Sequence, residues 1–583
     1  MQHSTRAVRR RPGLLLAAGL VSIGLLAAAC GGDDDDDGGA DTTAPATTAG
    51  GGTDTTTAGG TDTTSAPDTT AAPETPTPGG KLTMGIEAET GSPWRPAEAT
   101  FAISGHMVAQ SVYDPLMRGD DEGKVEPFLA ESVEPNADYT VWTIKAREGV
   151  SFHDGTPFDG AAIKDNLDRH IASFLTGKVL RDVESVTVTD PMTVEVKMKR
   201  PWVPFNTYLA GTIGYMASPA WLAASDADET LKPKPVGTGP FVFKDYKPGE
   251  SFSATKNPNY WLEGYPLLDE IEFRVYQDAL TRKSALEAGD IDLMHTTNGE
   301  TIAEYRESGQ FPMVEITERG ETGYTLLHVT QEGSPLTDSR VRCAMAYAYP
   351  NQDVIDEVGA GVNQIANGPF SPGQLGNVAS NSYPLEPDMD KAKELVESWK
   401  ADNPGVPLVV DLSTTQDQTN LVIAQIQQQA FKEAGFDDVK ISQIEQAKYI
   451  LTALQGSFQA FQWRNHGGAD LDNQYIWWHS SSADPVGQLA LNFGRIKDAD
   501  IDRLLDENRG ASDPARKKEI AEEVNEIFAT QCYNLWGSYT TWGVPAQENV
   551  RGIGVMTMPS GNDAGFGVGI AGTFPVAGLW IQQ

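Results

Sequence analysis

The folded part of this chain is predicted to be α/β and to contain at least two domains. Three observations predict this. About 500 residues follow a low-complexity N-terminal stretch, more than one core usually organises. Strand-like and helix-like segments interleave along them. In the second half the alternation becomes regular, strand then helix, as in a largely parallel sheet.

The elements follow in order. Lys81 to Glu87 alternates as a strand, with Leu82, Met84 and Ile86 on one face. His106 to Leu116 reads as a helix. Tyr139 to Arg147 alternates again, Asp154-Gly155 marks a turn, and Pro157 is expected to open a helix through Arg169. Val183 to Lys199 reads as two strands around Asp190-Pro191. Ile271 to Tyr276 is a strand, followed by a helix stopped by Gly289. Helices are then expected at Asp338–Tyr349, Asp390–Lys400, Thr419–Ala434 and Lys448–Leu454. Strands are expected at Leu408–Leu412, Val439–Ile444 and Phe458–Trp463. In sheets of this kind ligands sit beyond the C-terminal strand ends. The loop after Trp463 is therefore the local candidate for a site.

The N-terminus predicts export. Arg6, Arg9, Arg10 and Arg11 precede an uncharged apolar run from Leu14 to Ala29. That run is shorter than the roughly 20 residues a spanning helix needs. Ala27-Ala28-Ala29-Cys30 ends it with small residues and a cysteine, which reads as a signal peptide over 1–30 with lipidation at Cys30. Residues 31–80 are mostly Gly, Asp, Thr, Ala and Pro and lack the apolar surface to offset chain entropy. As a flexible coil they span roughly 40 Å, enough to lift a domain off a membrane. Asp33 to Asp37 imitates half a calcium loop, but the twelfth position is Ala44, so the run reads as a solvated spacer.

Cys343 and Cys532 remain, too few for a disulfide scaffold. An oxidising compartment allows them to pair, but two inert buried thiols are the expected state. The formal charge is −37, and most of it belongs to the folded part. Such a surface repels phosphate backbones, so no nucleic acid partner is expected.

Several segments then resemble a known family. Tyr113-Asp114-Pro115-Leu116 precedes Pro127-Phe128-Leu129-Ala130-Glu131-Ser132, and Gly149 to Pro157 follows as a hairpin. Val236-Gly237-Thr238-Gly239-Pro240-Phe241, Asn257-Pro258-Asn259-Tyr260-Trp261, Leu268-Asp269-Glu270-Ile271, Gly289-Asp290-Ile291-Asp292 and Leu336 to Arg342 come next in order. Together they are similar to the family 5 extracellular solute-binding proteins that serve oligopeptide, dipeptide and nickel importers. The resemblance implies a two-lobed, periplasmic-binding-protein-like fold of type II, with an extra subdomain and a hinge around a ligand cleft. It implies lobe I over 81–116, 226–328 and 535–583, the subdomain over 117–225, and lobe II over 329–534. It also implies a monomer that takes a small-molecule or peptide ligand, delivers it to ABC permease subunits, and needs no cofactor or metal.

In peptide-binding members an aspartate after the loop tryptophan takes the peptide amine. Here Trp463 leads into Arg464-Asn465-His466-Gly467-Gly468-Ala469-Asp470, and the amine position falls near Gly467 without an acid. Arg464 offers two parallel donors to a carboxylate or phosphate; the competing reading is a salt bridge within the lobe. Trp94, Tyr113, Tyr324, Trp463, Arg464, Asn465 and Asp470 are the candidate ligand residues. Trp94 and Tyr324 suit a cleft wall or the core equally. Tyr113, Trp477 and Trp478 suit the core better.

Enzyme signatures are missing: there is no HExxH, GxSxG or Walker A pattern. Gly567 to Gly572 spells GxGxxG, but Thr573-Phe574-Pro575 follows where a helix is needed. A secreted hydrolase acting on peptides or glycans is the alternative class.

Overall fold

The computed structural model describes residues 75–88, 94–318, 320–465, 467–567 and 572–583. Cys30, the expected leader, and residues 31–74 of the expected linker lie outside the described residues. So do His466 and the middle of the GxGxxG segment.

The first sheet has five strands in the order Leu293–Met294, Lys81–Ile86, Glu270–Val275, Ser251–Lys256, Phe241–Lys247. Lys81–Ile86 runs parallel to both neighbours, with Lys81 opposite Glu270 and Ile86 opposite Val275. The alternation suggested one buried face, yet Leu82 through Ile86 are all buried. At Gly85 a Cβ would fall 2.5 Å from Ile291, so the second face is covered too.

A second, four-stranded antiparallel sheet is inserted in the order Ala130–Pro135, Val141–Ala146, Thr193–Met198, Val183–Asp190. Helix Gly160–Ala172 packs on it through Ile163 and Leu167, beside Trp142 and Trp202. This helix starts three residues after the expected Pro157. Pro157 instead bridges Ser151 in the hairpin, and Asp159 caps the helix by accepting the Ala162 N–H. Similarly, the helix expected to reach Leu116 spans Ile103–Val112, because Pro115 bridges Tyr215.

The third sheet has six strands in the order Gln364–Ile365, Asn534–Tyr539, Thr322–Leu327, Ala460–Asn465, Val409–Thr414, Asp438–Gln443. The expectation of a largely parallel sheet holds for the last three strands and fails for the others, which pair antiparallel. The physical reason is connectivity. Helices Gln418–Glu433 and Gln446–Gln455 give the crossovers that parallel strands require. Thr322–Leu327 and Asn534–Tyr539 instead adjoin the connections to the other lobe. Gly435 and Gly456 close the two helices with φ of 103° and 67°, as their positions suggested.

Those connections form the hinge. Met313–Ile316 pairs with Trp542–Pro545, and Ile316 and Trp542 belong to the core of the first sheet. From there the chain crosses twice into the six-stranded sheet. The Thr540 N–H donates to the Glu321 carbonyl at 2.8 Å and ties the two crossings together. The molecule therefore has two lobes with a subdomain inserted in the first.

The two thiols expected at Cys343 and Cys532 are instead a disulfide, with Cα atoms 5.2 Å apart. Cys343 lies in helix Ser339–Ala348, and Cys532 caps helix Pro514–Gln531 in the left-handed region. Arg342 donates twice to the Gln531 carbonyl and holds the two helices in reach. No described helix is long and apolar enough to cross a membrane.

Candidate functional site

A cavity of about 790 Å³ lies between the lobes. Its volume is in the range of small-molecule sites. The first lobe contributes Glu87, Phe101 and Asn298, the subdomain Thr207 and Tyr208, and the second lobe Tyr324, Asn420, Trp463, Arg464, Asn465 and Trp477. The wall from the second lobe is the C-terminal end of Ala460–Asn465 together with Asp417 and Asn420, which follow strand Val409–Thr414. That is where a sheet of this kind was expected to bind.

Four of the seven predicted ligand residues line this cavity: Tyr324, Trp463, Arg464 and Asn465. Tyr324 does not precede its strand but stands within it, opposite Trp463 and with its ring 5.2 Å from Trp536. Burial pushes its phenol well above the usual range. Trp463 is half-buried and packs edge-on against Phe493 at 5.2 Å. Asn465 is 8% exposed, and its Nδ2 has no hydrogen-bond partner among the described residues.

Arg464 is the informative member. Its Nη1 meets Glu321 Oε2 at 3.2 Å and its Nη2 meets Glu87 Oε1 at 3.4 Å. Its Cζ lies 5.8 Å from the Trp542 ring. The buried Glu321 carboxylate, and then Glu87, hold its pKa above the ordinary guanidinium value. The donors expected to meet a ligand anion thus already hold two carboxylates of the protein. The competing reading of a salt bridge within the lobe holds for Glu321, which directly precedes strand Thr322–Leu327 beside the strand of Arg464, while Glu87, which follows the first strand of lobe I, adds a second partner across the cleft.

The other three predicted residues are placed elsewhere. Trp94 is 1% exposed, in contact with Phe101, Tyr246 and Phe252. Tyr113 is fully buried and donates its hydroxyl to the Trp94 carbonyl at 2.9 Å. Both belong to the lobe I core and not to the cavity wall. Asp470 caps the turn Leu471–Gln474, accepts from Asn508 at 2.8 Å and pairs with Lys517. Its neighbour Asp472, fully buried, accepts from Trp202 Nε1 at 2.7 Å and from Arg509 Nε at 2.9 Å. This acidic stretch joins the subdomain to lobe II. Trp478 is buried in the lobe II core with Trp477 packed against it, and both also line the cavity.

Gly467 lines the cavity, and a Cβ there would lie 1.5 Å from Gln374 Nε2. Any side chain at that position would require the Gln374 amide to move aside. Among the described residues Glu87, Glu321 and Asp417 are the carboxylates of the wall, and motif reading missed all three. Glu87 could have been found, since it directly follows the first parallel strand; Glu321 had no local signal. Among the described residues no cluster of His, Cys, Asp and Glu could hold a metal ion.

Comparison with known proteins gives a consistent set of likenesses. Residues 124–486 match the profile of the bacterial extracellular solute-binding proteins, family 5 middle. The nickel-binding periplasmic protein of Escherichia coli is 29% identical over 369 residues, 59% of this chain and 68% of that protein. The glutathione-binding protein GsiB of Escherichia coli is 26% identical over 456 residues, 74% of this chain and 84% of the relative. The ABC transporter-associated periplasmic binding protein DppA from Helicobacter pylori, solved with the peptide STSA, superposes with a TM-score of 0.76 at 23% identity. That superposition covers 87% of this chain and 99% of DppA and speaks to the fold.

Proposed function

The chain belongs to family 5 of the bacterial extracellular solute-binding proteins, and on that premise we propose that it is the receptor of an ABC importer, closing its lobes on a small polar solute and catalysing nothing. The observation that carries the reading is the cavity between the lobes, large enough for a peptide or peptide-like solute. Closure must be favoured by the solute differentially, because a ligand shifts an equilibrium only by its preference for one state. In this reading residues 81–116, 226–316 and 542–583 form lobe I, 117–225 the subdomain and 322–539 lobe II; the expected bounds at 328 and 534 move because strands Thr322–Leu327 and Asn534–Tyr539 lie in the six-stranded sheet. Tyr324, Trp463, Arg464 and Asn465 touch the solute. Native mass spectrometry of freshly purified protein, followed by thermal shift with the solute it retains, tests the reading. A receptor gains RT ln(1 + [L]/Kd) and returns its ligand intact; turnover of the ligand would support a hydrolase instead.

Arg464→Ala should lower the melting temperature of the ligand-free protein, because the buried Glu321 carboxylate loses its contact with the guanidinium, at a cost of about 1–3 kcal/mol. Arg464→Lys should recover part of that loss, since an ammonium keeps the charge and loses the fork. Unchanged melting of the alanine variant would return Arg464 to a role toward the ligand alone.

The membrane anchor is part of the same proposal. Cys30, after its apolar run and small residues, is the lipidated residue, and residues 31–80 are the tether. Cys30→Ala should move the protein from the membrane fraction to the soluble fraction. Retention of that variant on membranes would overturn the assignment.

A further inference from the structure

The cavity lies between two attachments. At one end the chain crosses between the lobes, where the Thr540 N–H donates to the Glu321 carbonyl. At the other end the subdomain meets lobe II, and Thr207, Tyr208, Asn473 and Ile476 of that seam line the same cavity. The crossings are covalent and the seam is not. Lobes that turn about the crossings must therefore part at the seam to admit a solute.

The seam is built so that it can part. Five charged side chains alternate in sign along it: Asp472, Arg509, Asp182, Arg200 and Asp506. Asp182 and Arg200 belong to the subdomain, the other three to lobe II. Two links stay within one body, Arg509 to Asp472 at 2.9 Å and Arg200 to Asp182 at 2.9 Å. Two links cross the seam, Arg509 to Asp182 at 2.6 Å and Arg200 to Asp506 at 2.7 Å. Asp506 also accepts from the Tyr475 hydroxyl of its own lobe at 2.7 Å. Separating a buried ion pair is normally costly because each charge is left stranded. Here every member of the row keeps a hydrogen-bond partner in its own body when the crossing links break. The row also runs outward, from the fully buried Asp472 to Asp506, whose side chain is 44% exposed, so water can enter from one end.

Two further contacts hold the closed seam. Lys178 of the subdomain pairs with Asp484 of lobe II at 2.5 Å, and both are partly exposed. Ile476 and Leu491 of lobe II seat in the subdomain core, so closing the seam buries apolar surface as well.

We propose that this seam is a reversible latch, opposite the crossings, in which the alternating charges of the subdomain and lobe II interleave to hold the cleft closed and separate without stranding a charge when it opens. This rests on the receptor reading, since only a cleft that opens needs a latch.

Hydrogen exchange of the full chain, stripped of any retained solute and read by mass spectrometry, tests it. The Val203 N–H donates to the Arg509 carbonyl across the seam at 2.8 Å, and the Thr540 N–H reports on the crossings. Val203 should exchange faster than the amides of strand Val141–Ala146 in the subdomain sheet, because the latch opens without unfolding. Asp484→Asn combined with Asp506→Asn should speed exchange at Val203 by about fivefold or more and leave Thr540 and the strand as they were. Lys178→Asp should also speed Val203, and adding Asp484→Lys should return it to the parent rate. Val203 as protected as the strand would overturn the proposal, since the seam would then part only on unfolding. So would an unchanged Val203 in the double variant, or an equal rise at Val203, Thr540 and the strand, which marks general destabilisation. No solute enters the measurement, so any of these outcomes leaves the receptor reading to its own test by retained ligand.

Discussion

Arg509→Leu is expected to cost about 3–5 kcal/mol of unfolding free energy, the usual loss when one partner of a buried ion pair is removed. Arg509 is 1% exposed and ends helix Ala499–Gly510. It donates to Asp472 at 2.9 Å and to Asp182 at 2.6 Å, and its Cζ lies 3.8 Å from the Tyr475 ring centre. Asp472 is fully buried and Asp182 comes from the subdomain, so the variant strands a buried negative charge in the seam between subdomain and lobe II. The Arg509 backbone carbonyl also accepts from the Val203 N–H at 2.8 Å, which fixes the same seam. Asp472→Asn added to Arg509→Leu should recover part of the loss, because a neutral amide keeps the Trp202 hydrogen bond and removes the stranded charge. Denaturant unfolding of the two variants and the parent checks this. Independent, additive losses would mean that the two side chains are not coupled.

Replacing both Cys343 and Cys532 by serine is expected to cost about 2–5 kcal/mol. The bridge spans 189 residues of sequence, and long closed loops restrict the unfolded chain most. It joins two helices of lobe II and does not enter the cavity wall, so ligand affinity should hold. The control is reductant. Thiol treatment should bring the parent down toward the double variant and leave the variant where it was. A parent indifferent to reductant would show that the bridge does not form in solution. A disulfide also suits an exported protein, in line with the leader read at residues 1–30.

How much of this was legible beforehand follows from the range of each interaction. Lys81–Ile86, the hairpin around Asp190-Pro191 and the units between Val409 and Asn465 were readable, since alternation, turn residues and helix-stopping glycines act between near neighbours. The ordered motifs from Tyr113 to Arg342 supplied the two-lobed architecture. The strand-end rule located the cavity wall at Trp463, Arg464 and Asn465. The same local logic could not separate Trp94 and Tyr113 from a cleft wall, because an aromatic in a loop has one composition whether it faces core or solvent. It missed the antiparallel half of the six-stranded sheet, where strands arrive from the other lobe. It assigned Asp470 to the ligand, when Asn508 and Lys517 claim it.

The sequence alone determined that the chain is an α/β protein of this family, and it carries the basic, apolar segment ending at Cys30 and the acidic stretch before Lys81 on which the proposed leader and spacer rest. The tertiary structure decided that Cys343 pairs with Cys532 and that Arg464 answers to Glu321 and Glu87 rather than to a ligand alone. The reason is distance along the chain. Arg464 and Glu87 are 377 positions apart, and no local pattern carries a pairing that exists only once two lobes have packed.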